Sequence, residues 1–141
     1  MDSIASAKSS TGTVAPDAGS NSRLLDVDVT LSRFAGDETL LGEIACVFIR
    51  TVPQLVTSIS SALTARDLKS AFHHAHSLKG AVAAFEAPAV LNAVKELEGH
   101  AKSSDGVATA AAFPVAQAFV ERMLAELAPL ARSDRGLDAQ R

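Results

Sequence analysis

The spacing of the apolar residues most constrains what this chain folds into. In several segments, large apolar side chains recur every three or four positions, which is the period of an amphipathic α-helix. One stripe consists of Leu41, Ile44, Phe48, Leu55, Ile59 and Leu63. A second stripe, near the end of the chain, consists of Val115, Phe119, Met123, Leu127 and Leu130. Repeated stripes of this kind predict a fold built from helices.

The composition favours closely packed helices over a sheet. Hydrophobic residues make up 48% of the chain but aromatic residues only 4%, with no Trp and no Tyr. The abundant alanine favours helices, whereas strands favour β-branched and aromatic residues. Residues 25–31 alternate between apolar and polar as in a strand, but no second strand is available to pair with them. We therefore predict a short helix there, which begins at Asp28 and ends near Gly36.

Capping and turn residues divide the rest of the chain into helices. Asp37 predicts the start of a long helix, in which Pro53 predicts a kink or a division in two. Asp67 predicts the start of the next helix, from about Leu68 to Phe85. Later boundaries are indicated by Pro88 in a first turn, Gly99 at a helix end, and a turn at Asp105 and Gly106. The predicted fold class is all-α: an up-and-down antiparallel four-helix bundle with a short extra N-terminal helix.

The ends of the chain differ in composition from its middle. Residues 1–23 are rich in Ser, Ala, Gly and Thr, so we predict a disordered N-terminal tail. The predicted bundle domain covers residues 24–131, and residues 132–141 are expected to form a flexible C-terminal tail.

Charge and cysteine content exclude several classes of function. The net charge is −3 and no basic stripe is present, so we expect no nucleic-acid partner. Cys46 is the only cysteine, which excludes an internal disulfide and a cysteine metal cluster and favours a cytoplasmic location. No uninterrupted apolar run approaches the roughly 18 residues needed to cross a bilayer, so we expect no membrane partner.

The helix from Leu68 to Phe85 carries the candidate site. At about 100° per residue, His76 points away from the apolar face, and Lys79 and Gly80 lie one turn further on. Glycine inside a helix costs about 1 kcal/mol relative to alanine, so Gly80 beside an exposed histidine indicates a need for clearance. A neutral imidazole is a competent nucleophile near pH 7, and a lysine ammonium binds phosphate oxygens. The apolar face opposite consists of Leu68, Ala71, Ala75, Leu78, Val82 and Phe85.

These residues resemble a known family. The segment from His76 to Gly80 is similar to the His-x-Leu-Lys-Gly signature of histidine-phosphotransfer domains. The similarity extends from about Leu25 to Leu130, and includes the segments 31–41, 65–67 and Leu97-Glu98. Two positions depart from the pattern: Ala81 stands where many members have a serine, and Glu86 where many have a glycine.

The resemblance implies a function and a role for each matching residue. His76 is implied to accept a phosphoryl group from a receiver-domain aspartyl-phosphate and to pass it to another receiver aspartate. Lys79 is implied to stabilise the phosphoryl group, and Gly80 to keep the imidazole accessible. The partners implied are receiver domains of response regulators or of a hybrid sensor histidine kinase. The docking surface is expected at Lys69, Phe72, His73 and Ala83.

The same resemblance implies a phosphate carrier without kinase activity of its own. No intrinsic cofactor is expected, because the Mg²⁺ for the transfer belongs to the receiver domain. No Gly-rich phosphate loop occurs in the sequence. A lone bundle of this kind is expected to be a monomer.

Two alternatives remain open at this point. His73 and His76 are three residues apart on one helix and could chelate a metal ion, which would make the chain a metal-binding bundle. The chain could also be a helical adaptor whose histidine is incidental. Phe72 could equally be a core residue at the edge of the stripe, and Lys69 and His73 could be ordinary surface residues. His74 is expected on the core side and Cys46 as a small buried hydrophobic residue.

Overall fold

The computed structural model describes residues 23–139, with side chains as far as residue 131. In this range the chain forms five helices and no strand. The predicted N-terminal tail, apart from Arg23, lies outside the described residues. The helices are α1 (Val27–Arg33), α2 (Glu38–Thr64), α3 (Leu68–Ala83), α4 (Pro88–Lys102) and α5 (Gly106–Ala139).

The four longer helices form a closed ring. The helix α2 packs against α3, α3 against α4, α4 against α5, and α5 against α2. Connections of three or four residues join successive members, so neighbouring helices run antiparallel. This confirms the predicted all-α, up-and-down four-helix bundle with a short extra N-terminal helix. The helix α5 extends to Ala139, so helical backbone continues through most of the segment 132–141 for which we predict a flexible tail.

Aspartate side chains begin the helices as predicted, except at α1. Asp37 accepts a hydrogen bond from the Leu40 amide at 3.0 Å, and Asp67 accepts one from the Ser70 amide at 3.0 Å. The predicted start of α1 at Asp28 is wrong. Asp26 caps this helix instead, with 3.1 Å between its Oδ1 and the Val29 amide, and Asp28 lies in the first turn.

Three other predictions of helix limits differ from the structure. At Pro53 the division in two is wrong, and the alternative, a kink at this residue, stays a prediction. The helix α2 continues through Pro53, flanked by the buried Val52 and Val56, whose burial along the bundle outweighs one lost backbone hydrogen bond. The helix α3 ends at Ala83, two residues before the predicted Phe85. Gly99 does not end α4, which continues to Lys102.

The core lies where the apolar stripes meet. Ile59, Leu78, Leu97, Met123 and Leu127 are fully buried. Phe48 of α2 meets Phe85 edge to face, with 5.1 Å between the ring centroids. Cys46 is buried as predicted. Val115 was expected on the core stripe of α5 but is 54% exposed, because the neighbouring Ala116 faces the core.

One helix of the described range, α2, is long and apolar enough to cross a membrane by length and composition alone. The apolar residues of α2 are also those that it buries in the bundle. Its buried face includes Leu41, Phe48, Val52 and Ile59, and it packs against both α3 and α5. Core helices of soluble proteins pass the same test.

The N-terminal segment is attached to the end of the bundle by polar contacts. The Glu126 carboxylate on α5 accepts hydrogen bonds from the backbone amides of Leu24 and Leu25, each at 2.8 Å. The buried Thr30 hydroxyl accepts a hydrogen bond from the Glu86 amide at 2.9 Å. Arg33 of α1 forms an ion pair with the Glu86 side chain and donates to the Ala83 carbonyl. Glu86, a departure from the family pattern, therefore holds α1 against the end of α3.

Candidate functional site

His76 stands on the outer side of α3. The buried residues of this helix are Ala71, Ala75, Leu78 and Val82, which face the core. The His76 side chain is 61% exposed. The orientation expected from helical periodicity is therefore the one observed.

Glu98 of α4 contacts both His76 and Lys79. Its Oε2 lies 2.6 Å from His76 Nδ1, and its Oε1 lies 2.8 Å from Lys79 Nζ. The Glu98 side chain is only 12% exposed. One nearly buried carboxylate thus joins the histidine and the lysine across the α3–α4 interface.

The electrostatics of the site keep this carboxylate ionised. Burial alone raises the pKa of Glu98, but hydrogen bonds from Lys79 and His76 outweigh that effect and hold the pKa below its ordinary value. An ionised carboxylate only accepts hydrogen bonds, so His76 Nδ1 carries the proton. In the neutral imidazole this assigns the lone pair to Nε2. The nitrogen that is free to react is therefore Nε2.

Phe72 packs against the imidazole one turn before it. The ring centroids of Phe72 and His76 are 5.9 Å apart with an interplanar angle of 27°. Phe72 also contacts the His73 ring at a centroid distance of 5.5 Å. It is partly buried against a small apolar cluster that contains Ala71 and Ala101. Phe72 is therefore a residue at the edge of the core and also a neighbour of the His76 imidazole.

Gly80 lies on the exposed side of α3, four residues after His76. A Cβ built at Gly80 meets nothing within 4 Å. The bundle itself therefore does not require glycine here, and any need for clearance comes from outside the chain.

The other predicted docking residues share the outer surface of α3. Lys69, His73 and Ala83 are all exposed, and Lys79 is partly exposed. His74 is partly buried on the other side of the helix. The predicted site residues therefore lie on one helix, and the structure brings Phe72 and Lys79 closest to His76.

Sequence reasoning missed Glu98 as a site residue. The pair Leu97-Glu98 contributed only to the family resemblance, because Glu98 belongs to a different helix. A usable signal was present: His76 lies 11 residues before Ala87, and Glu98 lies 11 residues after it. In two antiparallel helices joined by a short connection, residues at similar distances from it along the chain lie at a similar level; the exact register depends on the connection of residues 84–87.

The two histidines of the alternative metal site, His73 and His76, make other contacts in this structure. Among the described residues, no group of three or more His, Cys, Asp or Glu side chains is placed to hold a metal ion. His73 contacts Phe72, and His76 Nδ1 is engaged by Glu98.

The site lies within a region that matches a known family. The family model described as the Hpt domain matches residues 43–129, more than half of the 141 residues. That range contains most of α2, all of α3 and α4, and the whole candidate site. Neither a curated protein nor a solved structure matched the chain.

Proposed function

Because this chain belongs to the Hpt domain family, whose members transfer phosphoryl groups on histidine in phosphorelays, we propose that His76 is its phosphorylated residue. Hpt domains are phosphate carriers and not kinases. One observation carries the proposal. A nearly buried, ionised Glu98 holds Nδ1 of an exposed imidazole and leaves Nε2 free.

The proposed reaction begins with an aspartyl-phosphate on a receiver domain. The Nε2 lone pair attacks phosphorus, a P–N bond forms, and the bond from phosphorus to the aspartate oxygen breaks. The aspartate leaves as a carboxylate with the bonding electrons. The imidazole gains positive charge and keeps its proton on Nδ1, where the Glu98 carboxylate stabilises it at 2.6 Å. The reverse reaction with a second receiver aspartate returns the imidazole to its neutral form.

In this proposal Lys79 binds the phosphoryl group and Gly80 leaves space for it. The Lys79 ammonium has three N–H donors, and one of them reaches Glu98. The remaining donors form charge-assisted hydrogen bonds to phosphoryl oxygens. Gly80 leaves open space beside the imidazole for the group and for the partner backbone. Lys69, Phe72, His73 and Ala83 supply the docking surface on α3.

The Mg²⁺ for the reaction is proposed to come with the receiver domain. Magnesium prefers oxygen ligands, chiefly carboxylates and water. The candidate site offers imidazole and ammonium groups, and its single carboxylate, Glu98, already accepts two hydrogen bonds. These residues do not fit a magnesium site of their own. Action in the cytoplasm as a monomer belongs to the same proposal.

A transfer assay tests the proposal. The full chain is incubated with each phosphorylated receiver domain of the source organism in the presence of Mg²⁺. An acid-labile, alkali-stable phosphate is expected on the chain and is expected to be absent from His76→Gln. His100→Gln, which changes a histidine in the groove between α4 and α5, is the matched control and should still take up phosphate. If the wild-type chain takes up none from any receiver, the proposed function is wrong.

A further inference from the structure

The lysines of this acidic chain are unevenly distributed. The net charge is −3, yet every lysine among residues 23–139 lies on α3 or α4. The helices α1, α2 and α5 contain none in that range. The four are Lys69 and Lys79 on α3 and Lys95 and Lys102 on α4.

The two lysines of α4 lie on the same side of that helix as Glu98. Lys95 precedes Glu98 by three residues and Lys102 follows it by four, so each is one turn away on the same face. Glu98 reaches across to His76, which places both lysines on the edge of α4 nearest the imidazole. Both are exposed. With Lys69 and Lys79 they give four lysines on the two helices that carry His76 and Glu98.

Carboxylates in the described part of the chain neutralise only part of this surface: Asp67, at the start of α3, interacts electrostatically with Lys69. Lys79 pairs with Glu98, but no ion pair is formed there by Lys95 or Lys102. The other carboxylate of α4, Glu96, lines a groove against α5 together with Ala93 and His100. The negative charges of α4 are therefore either engaged by the site or turned away from it.

We propose that Lys95 and Lys102 extend the docking surface onto α4, where they attract the carboxylates that surround the partner's phosphorylated aspartate. This inference rests on the proposed function. A domain that binds Mg²⁺ beside its phosphorylated aspartate does so with carboxylate oxygens, so its transfer surface is acidic. Complementary charge of this kind raises the association rate more than it changes the chemical step.

Charge reversal tests the inference. Lys95→Glu and Lys102→Glu are compared with Arg50→Glu, which changes the charge equally at an exposed position on α2, a helix diagonal to α4. The probe is the receiver domain that transfers fastest to the wild-type chain. At about 50 mM salt, each lysine variant should lower the second-order rate constant for transfer by about tenfold. Arg50→Glu should change it by less than about twofold, because Arg50 lies on α2, outside the two helices that carry the four lysines, and exposed charges are screened by salt.

The dependence of transfer on salt and on receiver concentration distinguishes electrostatic attraction during association from an effect on the transfer step. The deficit of the lysine variants should shrink above about 0.3 M salt, and their maximal rate at saturating receiver should match the wild type. If both lysine variants behave like Arg50→Glu, the inference is overturned, while a loss of transfer in His76→Gln still supports the proposed function. A deficit that persists at high salt overturns it as well. If the wild-type chain takes up no phosphate, the proposed function itself has failed.

Discussion

Replacing Glu98 with glutamine removes one negative charge from the α3–α4 interface and preserves the size of the side chain. The two carboxylate oxygens accept separate hydrogen bonds, from His76 at 2.6 Å and from Lys79 at 2.8 Å. Glutamine has one acceptor oxygen, so the change weakens the bond to His76 and removes the bond to Lys79. Such bonds contribute about 1.5–3 kcal/mol each when buried, but near 0–1 kcal/mol when both groups are exposed. Glu98 is 12% exposed, whereas Lys79 is 30% and His76 61% exposed, so the energies of these two contacts lie between the buried and the exposed range. We expect Glu98→Gln to lower the free energy of unfolding by about 1–2 kcal/mol at pH 7.

The pH dependence gives this prediction a sharper test. The folded protein holds the pKa of Glu98 below its ordinary value of 4.5, so the ionised form stabilises the fold. That contribution is complete above the unfolded pKa and is lost as the pH falls through the folded pKa. The difference between wild type and Glu98→Gln should therefore be largest above pH 5 or so and shrink below about pH 4. Urea denaturation at pH 7, 5 and 3.5 measures it.

Glu96→Gln is the matched control, because it makes the same change on the same helix but faces the groove against α5. It should show a smaller loss of stability and no comparable dependence on pH. If Glu98→Gln is as stable as wild type at pH 7, or if its deficit is constant from pH 7 to 3.5, the assigned role of the ionised carboxylate is wrong.

Two substitutions of Glu98 distinguish the effect of its negative charge on phosphotransfer from its effect on the orientation of the His76 imidazole. The glutamine carbonyl still accepts the Nδ1 proton, but the glutamine NH₂ group cannot accept a hydrogen bond from Lys79. Glu98→Gln therefore keeps the orientation of the imidazole and loses the negative charge and the Lys79 contact. Glu98→Ala loses the charge and the orientation together. We expect transfer to His76 to slow by about tenfold in the glutamine variant and by more in the alanine variant, in the range measured when groups that orient a functional histidine are removed. An alanine variant that transfers at the wild-type rate would refute this role of Glu98.

Three further substitutions test other parts of the site and fold. Gly80→Gln should slow phosphotransfer without lowering the thermal midpoint, because a Cβ at this position meets nothing within 4 Å; an unchanged transfer rate would remove the clearance argument. Phe72→Leu keeps an apolar side chain but loses the ring contact with His76, whose centroids are 5.9 Å apart. The transfer rate should therefore fall even where urea denaturation of the same preparation shows that the variant is fully folded. Leu78→Ala empties a fully buried position and should cost about 2–5 kcal/mol in urea denaturation, with phosphate still accepted by the folded fraction.

The sequence predicts those features that depend on residues close together along the chain. The exposed orientation of His76 follows from helical periodicity, because the apolar stripe on α3 alone sets which side faces the core. Asp37 and Asp67 cap their helices as predicted, since each bonds an amide three residues away. Predictions of helix limits from single residues were wrong where burial favoured a longer helix. Pro53 and Gly99 both lie inside continuous helices, because the packed length of each helix outweighs one weak position.

Glu98 could not be assigned to the site in the same way, because its role depends on the register between two helices. The connection of residues 84–87 sets that register and brings Glu98 level with His76. Displacing α4 by one residue relative to α3 would move the carboxylate by about 1.5 Å along the helix axis and rotate it by about 100°. Either change exceeds what contacts of 2.6 and 2.8 Å tolerate, so both would be lost together. The tautomer of an exposed histidine on α3 therefore depends on a connection that begins about two helical turns away from it.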